Sequence, residues 1–242
     1  MKKVNSSGIQ DSEIYFKFAE FLFLIEKYEE SLEGYTRAIE LKPDEAKYYG
    51  SRGCAFFKER YSKKDSSEKD YDFAILDFNK AIELNPDEAE YYSSSGKAYN
   101  SKFKFDKAIS DFSKAIELEP DKGKYYYDRG DAYNMKAFLC DALGEIKDKA
   151  KIEEIVKKHG IKKEDFENPE LLYDKAISDF SKAIDLKDRD SLFSSYFNLR
   201  WIYKDKEDYD ALKKLTENLK EEIHNYRLNQ ILSKLNFITQ LK

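Results

Sequence analysis

The sequence predicts an all-α array of stacked helical hairpins, and three observations carry that prediction. First, FDKAISDFSKAIEL at 105–118 returns as YDKAISDFSKAIDL at 173–186, with looser copies YDFAILDFNKAIEL at 71–84 and YEESLEGYTRAIEL at 28–41. Second, Pro43, Pro86 and Pro120 each close the string AIEL-x-P. Proline cannot continue a helix and turns the residue before it away from helical angles, so each string marks a helix end. Third, 242 residues contain only 9 Gly and 4 Pro while 38% are charged, which favours long surface helices over sheets. With 19 Tyr and 17 Phe, the chain has too much apolar mass to stay disordered.

The proline frame sets the period. Pro86 and Pro120 stand 34 residues apart, and between them 89–100 and 106–118 both show helical apolar spacing, separated by a short turn at 102–105. In the unit 89–122 the large, small and breaking residues are Tyr92, Gly96, Tyr99, Ala108, Phe112, Ala115 and Pro120. These seven fall at the fourth, eighth, eleventh, twentieth, twenty-fourth, twenty-seventh and thirty-second positions. The pattern resembles the tetratricopeptide repeat at all seven, which implies a right-handed solenoid. It has a physical cause: two helices that cross closely need small residues where they touch, here Gly96 and Ala108, with large ones filling either side.

The other units depart from the template. Unit 12–45 keeps Tyr15, Ala19, Tyr35, Ala38 and Pro43, with Leu22 and Ser31 replacing the usual Tyr and Ala. Unit 46–88 keeps Tyr49, Gly53, Phe56, Ala74, Phe78, Ala81 and Pro86 but is nine residues longer, a polar excess expected as an inter-helix loop within 59–70. Unit 123–190 opens with Tyr126, Gly130 and Tyr133 and closes with Ala176, Phe180 and Ala183, around a 34-residue insertion near 136–172. Inside it, His159-Gly160-Ile161 reads as a helix stop with Gly in the left-handed cap, and Asn168-Pro169 as a capped helix start. A degenerate unit, 193–226, has Tyr196, Tyr203 and Tyr209 but Arg200 and Leu212 at the small positions, so a wider crossing is expected. The stretch 227–242 is expected to be a C-terminal capping helix, and 1–11 an N-terminal tail.

Bulk properties narrow the function. A net charge of −5 gives no long-range attraction to phosphate backbones or anionic membrane, so no nucleic-acid or membrane partner is expected. MKK at the start is followed by polar VNSSGIQ rather than an apolar stretch, and no run approaches membrane-spanning length. Cys54 and Cys140 form no CxxC pair and read as small packed groups of a reduced, cytoplasmic protein. His159 and His224 have no zinc spacing, and the chain has no phosphate-loop or nucleophile-elbow string, so neither enzyme activity nor a metal or cofactor is expected.

The resemblance implies where a partner would lie. Tetratricopeptide arrays bind peptides or partner helices along a concave groove lined by the first helix of each hairpin. Carried onto this sequence, the middle groove is Glu90, Ser94, Lys97, Asn100, Lys124, Tyr127, Asp128, Asp131 and Asn134, with Trp201 on the same side of the fifth unit. A carboxylate clamp for chaperone tails is not expected: taken from the second unit, its positions are Gly50, Cys54, Ser94, Lys124 and Asp128, of which only Lys124 suits, and Asp128 would repel a carboxylate. Phe16, Phe23 and Leu24 give the first unit an apolar patch that would bind a partner, self-associate or pack locally. Trp201 is read as a binding anchor or, preferably, as packed against the terminal helix. The insertion is read either as a tolerated excursion or as a projecting arm that covers the groove or docks a second partner. The resulting expectation is a non-catalytic scaffold binding a peptide or partner segment. The alternatives are a chaperone-like holder of secreted or unfolded partners, and a self-assembling homo-oligomer.

Overall fold

The computed structural model describes residues 11–62, 69–188 and 190–240, and side chains over 11–59, 71–188 and 190–225. The expected tail at 1–10, most of the polar loop within 59–70 and the apolar side chains of the capping segment lie outside those residues. Among the described residues the helices run in order α1 (Ser12–Leu24), α2 (Tyr28–Leu41), α3 (Ala46–Ser62), α4 (Lys69–Leu84), α5 (Ala89–Ser101) and α6 (Phe105–Leu118). They continue as α7 (Gly123–Gly144), α8 (Lys149–His159), α9 (Lys163–Glu167), α10 (Pro169–Asp185), α11 (Leu192–Asp205) and α12 (Tyr209–Gln240). The hairpins are α1–α2, α3–α4, α5–α6, α7–α10 and α11–α12, each packed on the next, giving the all-α solenoid that the sequence predicts.

Local chemistry sets the helix ends. α2, α4 and α6 stop at Leu41, Leu84 and Leu118, two residues before the prolines. Asp11 starts α1, its carboxylate accepting from the Glu13 N–H at 2.9 Å. The tight turns inside the first, third and fifth hairpins place Glu26, Phe103 and Glu207 at φ 61°, 56° and 54°. That region disfavours L side chains by about 1 kcal/mol each, and packing of the flanking helices offsets it. Gly160 occupies the left-handed cap of α8 at φ 67°, and Pro169 the first turn of α10. Asn168 is the N-cap of α10, although its side chain makes no capping bond.

A repeated three-residue contact forms the core. Ala74 and Phe78 pack with Ala98, Ala108 and Phe112 with Ala132, and Ala176 and Phe180 with Ile202. In each case the second helix of one hairpin supplies the first two residues, and the next hairpin's first helix supplies the third. All nine are buried, and each Phe contributes roughly 2–3 kcal/mol. Gly96 permits a close approach within the third hairpin: a Cβ there would lie 2.7 Å from the Phe112 ring.

Two parts differ from expectation. The insertion does not project. α7 runs straight through its start, and α8 and α9 fold back so that Cys140, Leu143, Ile161 and Leu172 are buried together. Lys104 donates to the Lys158 carbonyl and the Phe103 and His159 rings meet edge-on at 5.6 Å, which ties α8 to the α5–α6 turn. The C-terminal segment is one helix, α12, continuous across the position where the sequence was divided at 226. At the α10–α11–α12 junction a cavity of about 330 Å³, lined by Leu199, Tyr203 and Leu215, accompanies the missing small residues of the fifth unit.

Candidate functional site

The first helices α1, α3, α5, α7 and α11 share the concave side, and their register determines which residues face it. Between α1, α3 and α5 lies a cavity of about 430 Å³. Phe23, Leu24, Tyr35, Cys54, Phe78 and Tyr91 make its apolar wall, Gly50, Ser51 and Ser94 its small-residue floor, and Glu20, Lys47 and Glu90 its charged rim. Gly50 lets the Tyr91 ring close against α3 as one wall, since a Cβ there would come within 2.5 Å of it. The Cys54 thiol is held protonated: burial raises its pKa, with the Ser94 hydroxyl partly offsetting it.

The middle of the groove is polar and internally paired. Lys97 sits 3.1 Å from Asp128, Asn100 donates to Asp131 at 3.2 Å, and Lys124 lies 3.8 Å from Glu90. All three link α5 to α7, and the first two lie across the floor of a second cavity of about 380 Å³ that Phe57 and Lys58 close from α3. Burial raises the pKa of Asp128 despite Lys97 and Lys124. Burial, reinforced by the Asp128 charge, pushes Asp131 up to about 6 against the Asn100 hydrogen bond. Tyr127 is half-buried, its ring 5.8 Å from Phe180 and its hydroxyl toward Ser194 and Asn198 of α11, so it braces the fourth hairpin against the fifth. Asn134 is half-buried further along α7.

The far end is aromatic. Trp201 keeps 47% of its surface exposed, which corrects the preferred expectation that it packs away. It meets Phe197 edge-on at 6.1 Å, with the Lys204 ammonium 5.3 Å from its ring. The packed face of α11 is instead Tyr196, Leu199 and Ile202. Phe16, assigned to the apolar patch, is also corrected: it is buried 4.8 Å from the Tyr48 ring, leaving Phe23 and Leu24 to face the groove. Sequence reasoning missed Phe197, although it occupies the fifth position of its unit as Tyr127 does of the fourth. It also missed the walls Tyr35, Phe78 and Tyr91, which reach the groove from positions that the periodicity assigns to packing.

Hairpins stacked with their first helices on one concave face define a helical-repeat solenoid, an architecture that generally mediates protein–protein interaction. The family model of the tetratricopeptide repeat matches residues 12–45 and 89–122, so these two units of the chain are tetratricopeptide repeats. No curated protein matches the chain in sequence. Among solved structures it is similar to a MamA crystal structure, with TM-score 0.59 and 18% identity over 85% of this chain and 88% of that one. It is also similar to MamA from residue 41 to its end from Desulfovibrio magneticus RS-1, with TM-score 0.61 and 15% identity over 89% and 96%. At such identities the likeness is one of fold. Among the described residues no helix is long and apolar enough to cross a membrane.

Proposed function

We propose that this protein is a non-catalytic adaptor that holds a peptide or partner segment along its concave groove, with an apolar side chain of the partner anchored between α1, α3 and α5. The cavity of about 430 Å³ carries this reading. It is the size of pocket that takes one or two side chains, its walls are apolar, and its rim has both charge signs. The polar middle supports the same reading in another way. Lys97 pairs with Asp128 and Asn100 donates to Asp131, while the Asn100 Oδ1 and Asp128 Oδ2 accept no hydrogen bond among the described residues, so this floor positions a polar chain running past it and leaves the anchoring to the ends of the groove. Unpaired thiols at half-buried Cys54 and buried Cys140 support a cytoplasmic setting.

Panning a randomised peptide library on the protein tests the proposal. Enrichment of sequences with an apolar residue flanked by polar ones is expected, and Leu24→Glu with Ser94→Arg should abolish it. Enrichment that survives this double substitution would place the site elsewhere.

A further inference from the structure

Among the described residues, the face of α1 turned away from the array packs on no other hairpin. Its residues occupy the third, seventh, tenth and fourteenth positions of the unit: Ile14, Phe18, Phe21 and Ile25. In later hairpins these positions turn toward the preceding hairpin and bury Tyr48, Tyr125, Ala55, Ala98, Ala132 and Lys136, among others. On α1 all four are large and apolar, and they remain 50, 58, 56 and 47% exposed.

We propose that this stripe pairs with the same stripe of a second copy of the chain across a two-fold axis. Residue size favours a second copy over a further hairpin of the array on this side. The tenth position is Ala55, Ala98 and Ala132 in the second, third and fourth units, whereas Phe21 holds an incoming helix farther off. Order supplies the self-complementarity. Ile, Phe, Phe, Ile at spacings of four, three and four residues reads the same in both directions. An antiparallel copy therefore sets Ile14 against Ile25 of the partner subunit and Phe18 against Phe21 of the partner subunit. An isologous interface requires that match.

Area sets the strength. At about 200 Å² for a full large apolar side chain, the four residues of the stripe leave roughly 400 Å² of apolar surface, within the range of a functional patch on a soluble monomer. Two copies bury about 800 Å² in total, the range of weak and transient contacts, so a reversible dimer with a dissociation constant no tighter than micromolar is expected. Lys17 and Glu20 lie to the side of the stripe, so pairing leaves both grooves open, and a partner with two binding segments would gain affinity from the pair.

Sedimentation equilibrium of the full chain between about 1 and 200 µM tests this, since that range brackets micromolar dissociation. The mass should rise from one chain, 28.5 kDa, toward two. Phe18→Glu with Phe21→Glu should raise the dissociation constant at least tenfold while leaving helicity and the melting midpoint unchanged. Ile14→Lys with Ile25→Lys serves as a second charged pair should the first misfold. An oxidised equimolar mixture of Ile14→Cys and Ile25→Cys chains should cross-link, while neither does so alone. A one-chain mass throughout, as when residues 1–10 cover the stripe, would overturn the proposal. So would a dimer that survives both charged pairs, or cross-linking of either single variant by itself.

Discussion

Arg129 and Asp179 stand 50 residues apart with the whole insertion between them, yet they form a two-point ion pair, Nε and Nη2 each 2.8 Å from a carboxylate oxygen. Arg52 and Asp77 make the same pair at the same two distances in the second hairpin. Each arginine also reaches back to the preceding hairpin, Arg52 to the Thr36 hydroxyl at 3.2 Å and Arg129 to that of Ser113 at 3.0 Å. One guanidinium thus ties three helices, and it holds the fourth hairpin in register despite the interruption.

Removing it should be expensive. Arg129→Ala leaves the buried Asp179 carboxylate without its cation, which costs about 3 kcal/mol. Replacing both residues by Ala removes the stranded charge, so the double variant should be more stable than Arg129→Ala alone. Urea unfolding of the four chains of that cycle measures the coupling. Additive effects would mean that the pair contributes no net stability.

The third hairpin lacks this device, and its pH response should show it. Ser95 stands where Arg52 and Arg129 do, so Asp111 meets only a hydroxyl and the more distant Lys107 charge; burial prevails and lifts its pKa from 3.8 to about 6. A carboxyl that holds its proton more tightly folded than unfolded favours the fold when protonated. Its contribution is complete below about pH 4 and lost as pH rises through about 6. Asp111→Asn mimics the protonated form. It should raise the melting midpoint above that of the natural chain at pH 7.5, and the two should converge as pH falls to about 4 and below. A difference constant across that range would show that Asp111 is not the titrating group.

This contrast also explains what was legible in the sequence. The hairpins, their ends and the Gly96–Ala108 crossing follow from local periodicity and helix-breaking residues, which one strand of text displays. The groove positions of α5 and α7 follow from the same register. Phe78 and Tyr91 could not be read as pocket walls, because which side of a packed aromatic stays open depends on the curvature of the stack. The insertion's fold-back rests on Ile161 and Leu172 meeting Cys140 and Leu143, a long-range contact that repeats no motif.

Gly96 tests the crossing. Alanine would gain about 1 kcal/mol of helix propensity over glycine. Its Cβ, however, would lie 2.7 Å from the ring of Phe112, which is buried and cannot swing aside. Overpacking of that kind costs about 1–3 kcal/mol, so Gly96→Ala should lower stability on balance. A melting midpoint that rises would show that the two helices can part without loss.

Lys136 tests how the insertion is held. The side chain is buried on α7, with its ammonium between Asp106 of α6 and Asp165 of α9. It joins the third hairpin, the fourth and the insertion at one point. Lys136→Met preserves length and packing but removes the cation, and the two carboxylates then fare differently. Asp106, 38% exposed, can turn to water, whereas Asp165, 14% exposed, cannot do so without moving α9. The cost of about 3 kcal/mol for an unpaired buried charge should therefore be relieved by local opening. Hydrogen exchange should quicken across α8 and α9 while α5 and α6 stay protected, and Asp165→Asn added to Lys136→Met should restore part of the protection. Quickening in α6 instead would mean that the lysine secures the array, with the insertion held by its apolar contacts alone.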